Sequence, residues 1–178
     1  MKKKVASKVS KPVRNAGTPR LRRVESILVP VDFSDCSIKA LSYAVPMAKL
    51  LGAKIALLHV VEPLATPDFV GAFPLSMDND RAAAEARKSL ATTSKKLRIP
   101  PALIERASVR FGTAYHEIAE AARDLKSDLV ILSTHGHTGI KHAFLGSTAE
   151  RVVRHAPCPV LVVRESEKDF VATRKPST

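Results

Sequence analysis

The sequence predicts an α/β fold: a single open five-stranded parallel sheet with helices on both faces. Three observations predict it. Short apolar runs rich in Ile, Val and Leu alternate along the chain with longer amphipathic stretches. The runs are apolar at successive positions, as in strands covered on both faces, rather than at every second one. Glycine, proline and small polar residues separate the two kinds of segment.

Taken in order, Ser26 to Val31 (SILVPV) is the first strand, too short for a helix. Asp32-Phe33-Ser34-Asp35 ends it. Ser34 is placed to cap the next helix, and Asp35 sits in its first turn, where an acid suits the helix dipole. Ile38, Leu41, Ala44, Val45, Ala48 and Leu51 recur at helical spacing. Pro46 should kink or locally break that helix. Gly52 should stop it. Lys54 to Val61 (KIALLHVV) is a second buried strand, and His59 within it reads as a satisfied core histidine. Glu62 to Asp80, with Pro63, Pro67, Gly71 and Pro74, reads as a long irregular connection. Phe69 and Phe73 would tack it to the body or offer a surface to a protein client.

Arg81 to Leu97 lacks Gly and Pro and reads as a helix. Ala107 to Phe111 is a strand. Gly112-Thr113 then opens a helix with Thr113 as its cap and Tyr115, Ile118, Ala119, Ala122 and Leu125 on its apolar face. Leu129 to Leu132 is a strand. Ser133 to Thr148 (STHGHTGIKHAFLGST) joins it to a helix with Ala149, Val152, Val153 and Ala156 on one face. Pro157 stops that helix, and Pro159 to Val163 is the last strand.

Composition bounds the function. The chain of 178 residues is 45% apolar but only 4% aromatic and lacks Trp, so its core must be aliphatic. No apolar run approaches the roughly 18 residues of a membrane span. No apolar stretch of secretory type follows the basic N-terminus, so a cytoplasmic protein is expected. Two cysteines, Cys36 and Cys158, fit a reducing compartment, and the fold order places them at opposite ends of the sheet.

The net charge of +12 misleads if spread over the chain. Residues 1–23 hold nine basic residues and no acid, which leaves 20 basic against 17 acidic residues elsewhere. Pro12, Gly17 and Pro19 and the lack of an apolar period mark residues 1–23 as a disordered basic arm. The folded domain is expected over 24–165, with a C-terminal tail over 166–178. The arm has no interleaved aromatics, so nucleic acid is not the expected partner; a basic-tail nucleic-acid binder is kept as an alternative.

Candidate chemistry concentrates in Ser133 to Thr148. Gly136, Gly139 and Gly146 allow close backbone approach, and Gly146-Ser147-Thr148 would cap the following helix with small hydroxyl residues. A helix N-terminus with free amides is a ready anion site. In a parallel α/β sheet, ligands bind outside the C-terminal strand ends where strand order reverses. The loops at Asp32 to Ser34, after Val61, at Gly112-Thr113 and at Ser133 to Thr148 lie at that end. The loop is not a Walker A sequence, since no Lys follows Gly146, and the first turn lacks the glycines of a dinucleotide fingerprint. His135, His137 and His142 do not by themselves supply the three or four convergent ligands of a metal site. Ser34 and Cys36 show no base and orienting partner, so no catalytic triad is read.

Three stretches resemble the universal stress protein family: ILVPVDFSDCSIKAL (Ile27 to Leu41), KIALLHVVEP (Lys54 to Pro63) and, most specifically, LVILSTHGHTGIKHAFLGSTAERVVRHAPCPVLVVR (Leu129 to Arg164). The resemblance covers residues 24–165. It implies a Rossmann-like fold of the adenine-nucleotide alpha-hydrolase type. The family's ATP-binding branch carries G-x2-G-x9-G-[S/T]; here Gly136 and Gly146-Ser147 match its second half, and Ser133 stands at the first glycine. By that resemblance Pro30, Val31 and Asp32 would border the adenosine, with Asp32 near the ribose, and the Val60 backbone would meet the adenine edge. Ser133, Gly136, Gly146, Ser147 and Thr148 would hold the phosphates of ATP, with Mg²⁺ carried on them. Asp32 reads equally as a helix cap, and Lys141 as a solvated side chain or a mobile positive charge.

The resemblance also implies a homodimer. Val160, Leu161, Val162 and Val163 have no charged guard before Arg164, and an apolar edge strand needs a cover. The expected function is an ATP-binding regulatory or stress-survival protein, with at most slow hydrolysis because no residue announces a water-positioning role. The alternative within the family is a degenerate pocket with function carried by protein–protein contacts.

Overall fold

The structure, a computed structural model, describes residues 23–62, 75–134 and 145–168, without the side chains of 75–78. The expected basic arm, except Arg23, lies outside the described residues, as do Phe69, Phe73, His135, Gly136, His137, Gly139, Lys141 and His142.

The elements run β1 (Ser26–Pro30), α1 (Asp35–Leu51), β2 (Lys54–Val61), α2 (Leu75–Lys96), β3 (Ile104–Phe111), α3 (Ala114–Asp124), β4 (Leu129–Ser133), α4 (Ser147–His155) and β5 (Val160–Val163). All pair in parallel, in the order β3-β2-β1-β4-β5. β1 therefore lies between the strand that follows it and the strand that returns, and the order reverses on its two sides.

Alternation along each strand divides the core. Ile27, Val29, Ile55, Leu57 and Ile131 face one side, where Ala40, Leu41, Ala44 and Ala48 of α1 and Leu90 of α2 cover them. Leu28, Ala56, Leu58, Val130 and Leu132 face the other, under Ile118, Ala121 and Ala122 of α3 and Ala149 and Val152 of α4. Both faces are covered, which is why the strands read as continuous apolar runs. Each fully buried Leu, Ile or Val contributes about 1.5–3 kcal/mol. The alanines of α1 and α3 let the helices sit close to the sheet.

Some boundaries differ from expectation. α2 begins at Leu75, inside the stretch expected to be irregular. β3 begins at Ile104, three residues early: Glu105 and Arg106 are solvated, which hid the strand in a sheet of buried ones. Pro46 lies within α1, whose helical assignment runs on without a break. Gly52 ends that helix at φ +68, in the left-handed region that favours glycine. β5 is an edge strand, paired only with β4 among the described residues. No helix among the described residues is long and apolar enough to cross a membrane.

Candidate functional site

A cleft of about 460 Å³ opens at the C-terminal ends of β1, β2 and β4. It collects Pro30, Val31, Asp32, Val60, Ser133, Gly146, Ser147 and Thr148, eight positions named from the sequence; Gly136 lies outside the described residues. A hollow of about 530 Å³ at the other end of the sheet is larger, and Lys126, Asp128 and Cys158 line it. Its Asp128 carboxylate already accepts from the Glu25 and Ser26 amides, at 2.8 and 3.1 Å. The β→α loops open away from that hollow, so the chemistry belongs to the cleft.

The turn after β1 is held from several sides. Val31 donates its amide to the Leu58 carbonyl at 2.8 Å, extending the sheet past the end of β1. Asp32 Oδ1 accepts from the Ser34 amide at 3.0 Å and from the Ser34 hydroxyl at 2.5 Å. The Ser34 hydroxyl in turn accepts from the Ser37 amide at 3.2 Å, which is the cap expected of it. Both readings of Asp32 thus meet at one residue: its carboxylate organises the helix start and lines the cleft. Between them Phe33 adopts φ +67, a costly conformation for an aromatic residue that persists only where its surroundings hold it. Its ring lies 4.6 Å from that of His59.

His59 is hydrogen-bonded, as a core histidine should be, yet it also lines the cleft together with Phe33. Sequence reasoning missed both as wall residues. The signal was available in part: a polar residue near the C-terminal end of a buried strand points toward the loops.

On the far side, α4 starts at Ser147, with Gly146 as its N-cap at φ −62 and no side-chain cap. The hydroxyls of Ser147 and Thr148 therefore do not cap the helix in the way expected, because they lie one and two residues inside it. The first amides of a helix have no intrahelical acceptor. Here they open onto the cleft through Ser147, Thr148 and Ala149. The φ of Gly146 is one any residue adopts, so backbone strain does not call for glycine there. The Gly146 amide donates to the Thr134 carbonyl at 2.9 Å, and the Thr134 amide to Val163 at 3.0 Å, pinning both ends of the loop to the sheet.

The third wall is the start of α3. Gly112 takes φ +143, and a Cβ there would meet Glu117 Oε1 at 2.9 Å. Thr113 occupies the N-cap position but makes no side-chain cap. Instead Glu62 Oε1 accepts from the Ala114 amide at 2.6 Å. This replaces the expected Thr113 cap, and a pair 52 residues apart in sequence leaves no local signature.

The cysteines are free and far apart, as fold order predicts. Cys36 lies at the start of α1 with Sγ 3.6 Å from Glu165 Oε2; Cys158 lies beside Asp128 in the opposite hollow. Burial pushes both thiols up, aided by Glu165 at Cys36 and by Asp128 at Cys158. Among the described residues no three His, Cys, Asp or Glu side chains converge as a metal site would require.

The arrangement is a polar cleft with a helix N-terminus that no side chain among the described residues caps on one side and carboxylates on the other, at the reversal point of a parallel sheet. Known proteins resemble this chain in sequence and fold. The sequence model of the universal stress protein family matches residues 23–164. A universal stress protein of Methanocaldococcus jannaschii is 32% identical over 150 residues, covering 82% of this chain and 85% of its own. The solved universal stress protein UspA from Lactobacillus plantarum is 29% identical with a TM-score of 0.65, covering 80% of this chain and 99% of its own. A universal stress protein solved in complex with cAMP has the same fold, at 23% identity and a TM-score of 0.56, covering 82% of this chain and 100% of its own. On that match and that identity, this chain belongs to the universal stress protein family.

Proposed function

We propose that the cleft binds ATP and that the protein is a nucleotide-binding regulator of stress survival acting as a homodimer. The observation that carries this reading is the open N-terminus of α4 on the cleft, with Asp32 on the wall beside β1. An anion gains from the first amides of a helix, which have no intrahelical acceptor, and from the helix dipole. The amides of Ser147, Thr148 and Ala149 would hold phosphate oxygens, and the bare Cα of Gly146 lets them approach. Asp32, whose carboxylate lines the cleft, would accept from ribose hydroxyls. Val60, at the end of β2, would border the base. Bound Mg²⁺ would neutralise phosphate charge.

Storage and release of a nucleotide signal, with at most slow hydrolysis, is the role assigned to the cleft. For assembly, β5 offers an edge of Val160, Leu161 and Val162, all half-buried, and pairing with a second copy would complete it.

Mass spectrometry of small molecules released from the purified, denatured protein tests the reading. Adenine nucleotide should appear in proportion to protein. Its absence, together with no thermal shift on adding ATP, would refute ATP binding and favour a family member that works through protein contacts alone.

A further inference from the structure

Two helix N-termini face the cleft, and they differ in character. That of α4 has no side-chain cap, whereas that of α3 is already held by the Glu62 carboxylate on the Ala114 amide. Glu62 Oε2 has no partner among the described residues, and Glu62 lines the cleft two positions beyond Val60. The cleft is therefore polarised. A ligand that places its anionic end on α4 directs its other end toward Glu62. A carboxylate there accepts from N–H or O–H groups and repels a carbonyl oxygen or a second anion. We propose that Glu62 is a specificity-determining residue that selects purine nucleotides with a 6-amino group over those with a 6-keto group.

This rests on the nucleotide reading above. It gives Glu62 two linked tasks, since the bond to Ala114 fixes the orientation in which its second oxygen meets the base. The variant Glu62→Gln separates charge from shape. Its amide oxygen can still accept from Ala114, which turns the NH2 group, a donor, toward the position of Oε2.

Isothermal titration of the full chain with ATP and with ITP, for wild type and for Glu62→Gln and Glu62→Ala, tests the proposal. Wild type should favour ATP by about tenfold or more, the scale expected when a site built to accept a hydrogen bond meets a carbonyl. Glu62→Gln should erase or reverse that preference, and Glu62→Ala should erase it. Equal binding of ATP and ITP by wild type overturns the proposal while leaving nucleotide binding intact. So does a preference that survives both substitutions. If neither nucleotide binds wild type, the nucleotide reading fails and this proposal fails with it.

Discussion

The Nδ1 of His59 lies 2.7 Å from the carbonyl oxygen of Val31, 28 residues earlier in the chain. A carbonyl can only accept, so Nδ1 carries the proton and donates. This bond braces the turn that carries Asp32 and supports the left-handed Phe33, whose ring packs tilted against the same imidazole.

His59→Ala should therefore cost about 1–3 kcal/mol, from one partly buried hydrogen bond and one ring pair. Urea unfolding should show a lower midpoint with an unchanged slope. ATP affinity should fall with it, about tenfold, since Asp32 rides on the turn. Unchanged affinity in a folded variant would mean that the brace serves only the fold.

Gly146 gives a cleaner separation of site from fold. Its φ of −62 suits any residue, so Gly146→Leu should change stability by no more than about 1 kcal/mol. The added side chain should fill the approach to α4 and weaken ATP binding by about a hundredfold or more, measured by titration. Undiminished affinity would remove α4 from the phosphate site.

The edge of β5 predicts assembly. Sedimentation of the full chain should show a dimer, and Leu161→Lys should shift it toward monomer by placing a charge on the shared edge. A wild-type monomer at concentrations well above micromolar would rule out the pairing.

Cys36 should be a slow thiol. Burial, then the Glu165 carboxylate, then Asp32 and Asp35 all favour its neutral form. Its alkylation by iodoacetamide should rise with pH later than that of a free thiol, and Glu165→Gln should move the profile to lower pH. The folded chain holds this proton longer than the unfolded one. The linked stability is thus present below the unfolded thiol pKa and is lost as pH rises through the folded value. An unmoved profile in Glu165→Gln would show that burial alone sets the shift.

Much of this was legible in one chain because it is written in local periods. Continuous apolar runs mark buried strands, so β1, β2 and β4 stood out. The solvated start of β3 did not, because an edge strand with charged residues lacks that pattern. Ser34 and Gly52 were legible as caps, since the bonds they satisfy lie within a turn of helix. The gathering of Asp32, Val60 and Gly146 to Thr148 at one end was legible too, because parallel connection puts every C-terminal strand end and the helix start that follows it on the same side of the sheet.

The pairings that give the cleft its character were not. His59 with Val31, Glu62 with Ala114, and Cys36 with Glu165 join residues 28, 52 and 129 positions apart. Such contacts follow from the order β3-β2-β1-β4-β5, which brings separate loops together at the reversal point. The sequence alone determined the alternating elements, the covered parallel sheet and eight of the residues that line the cleft. The tertiary structure decided which helix N-terminus stays open and which a carboxylate closes, because a cap donated from another strand leaves no mark in the helix that receives it.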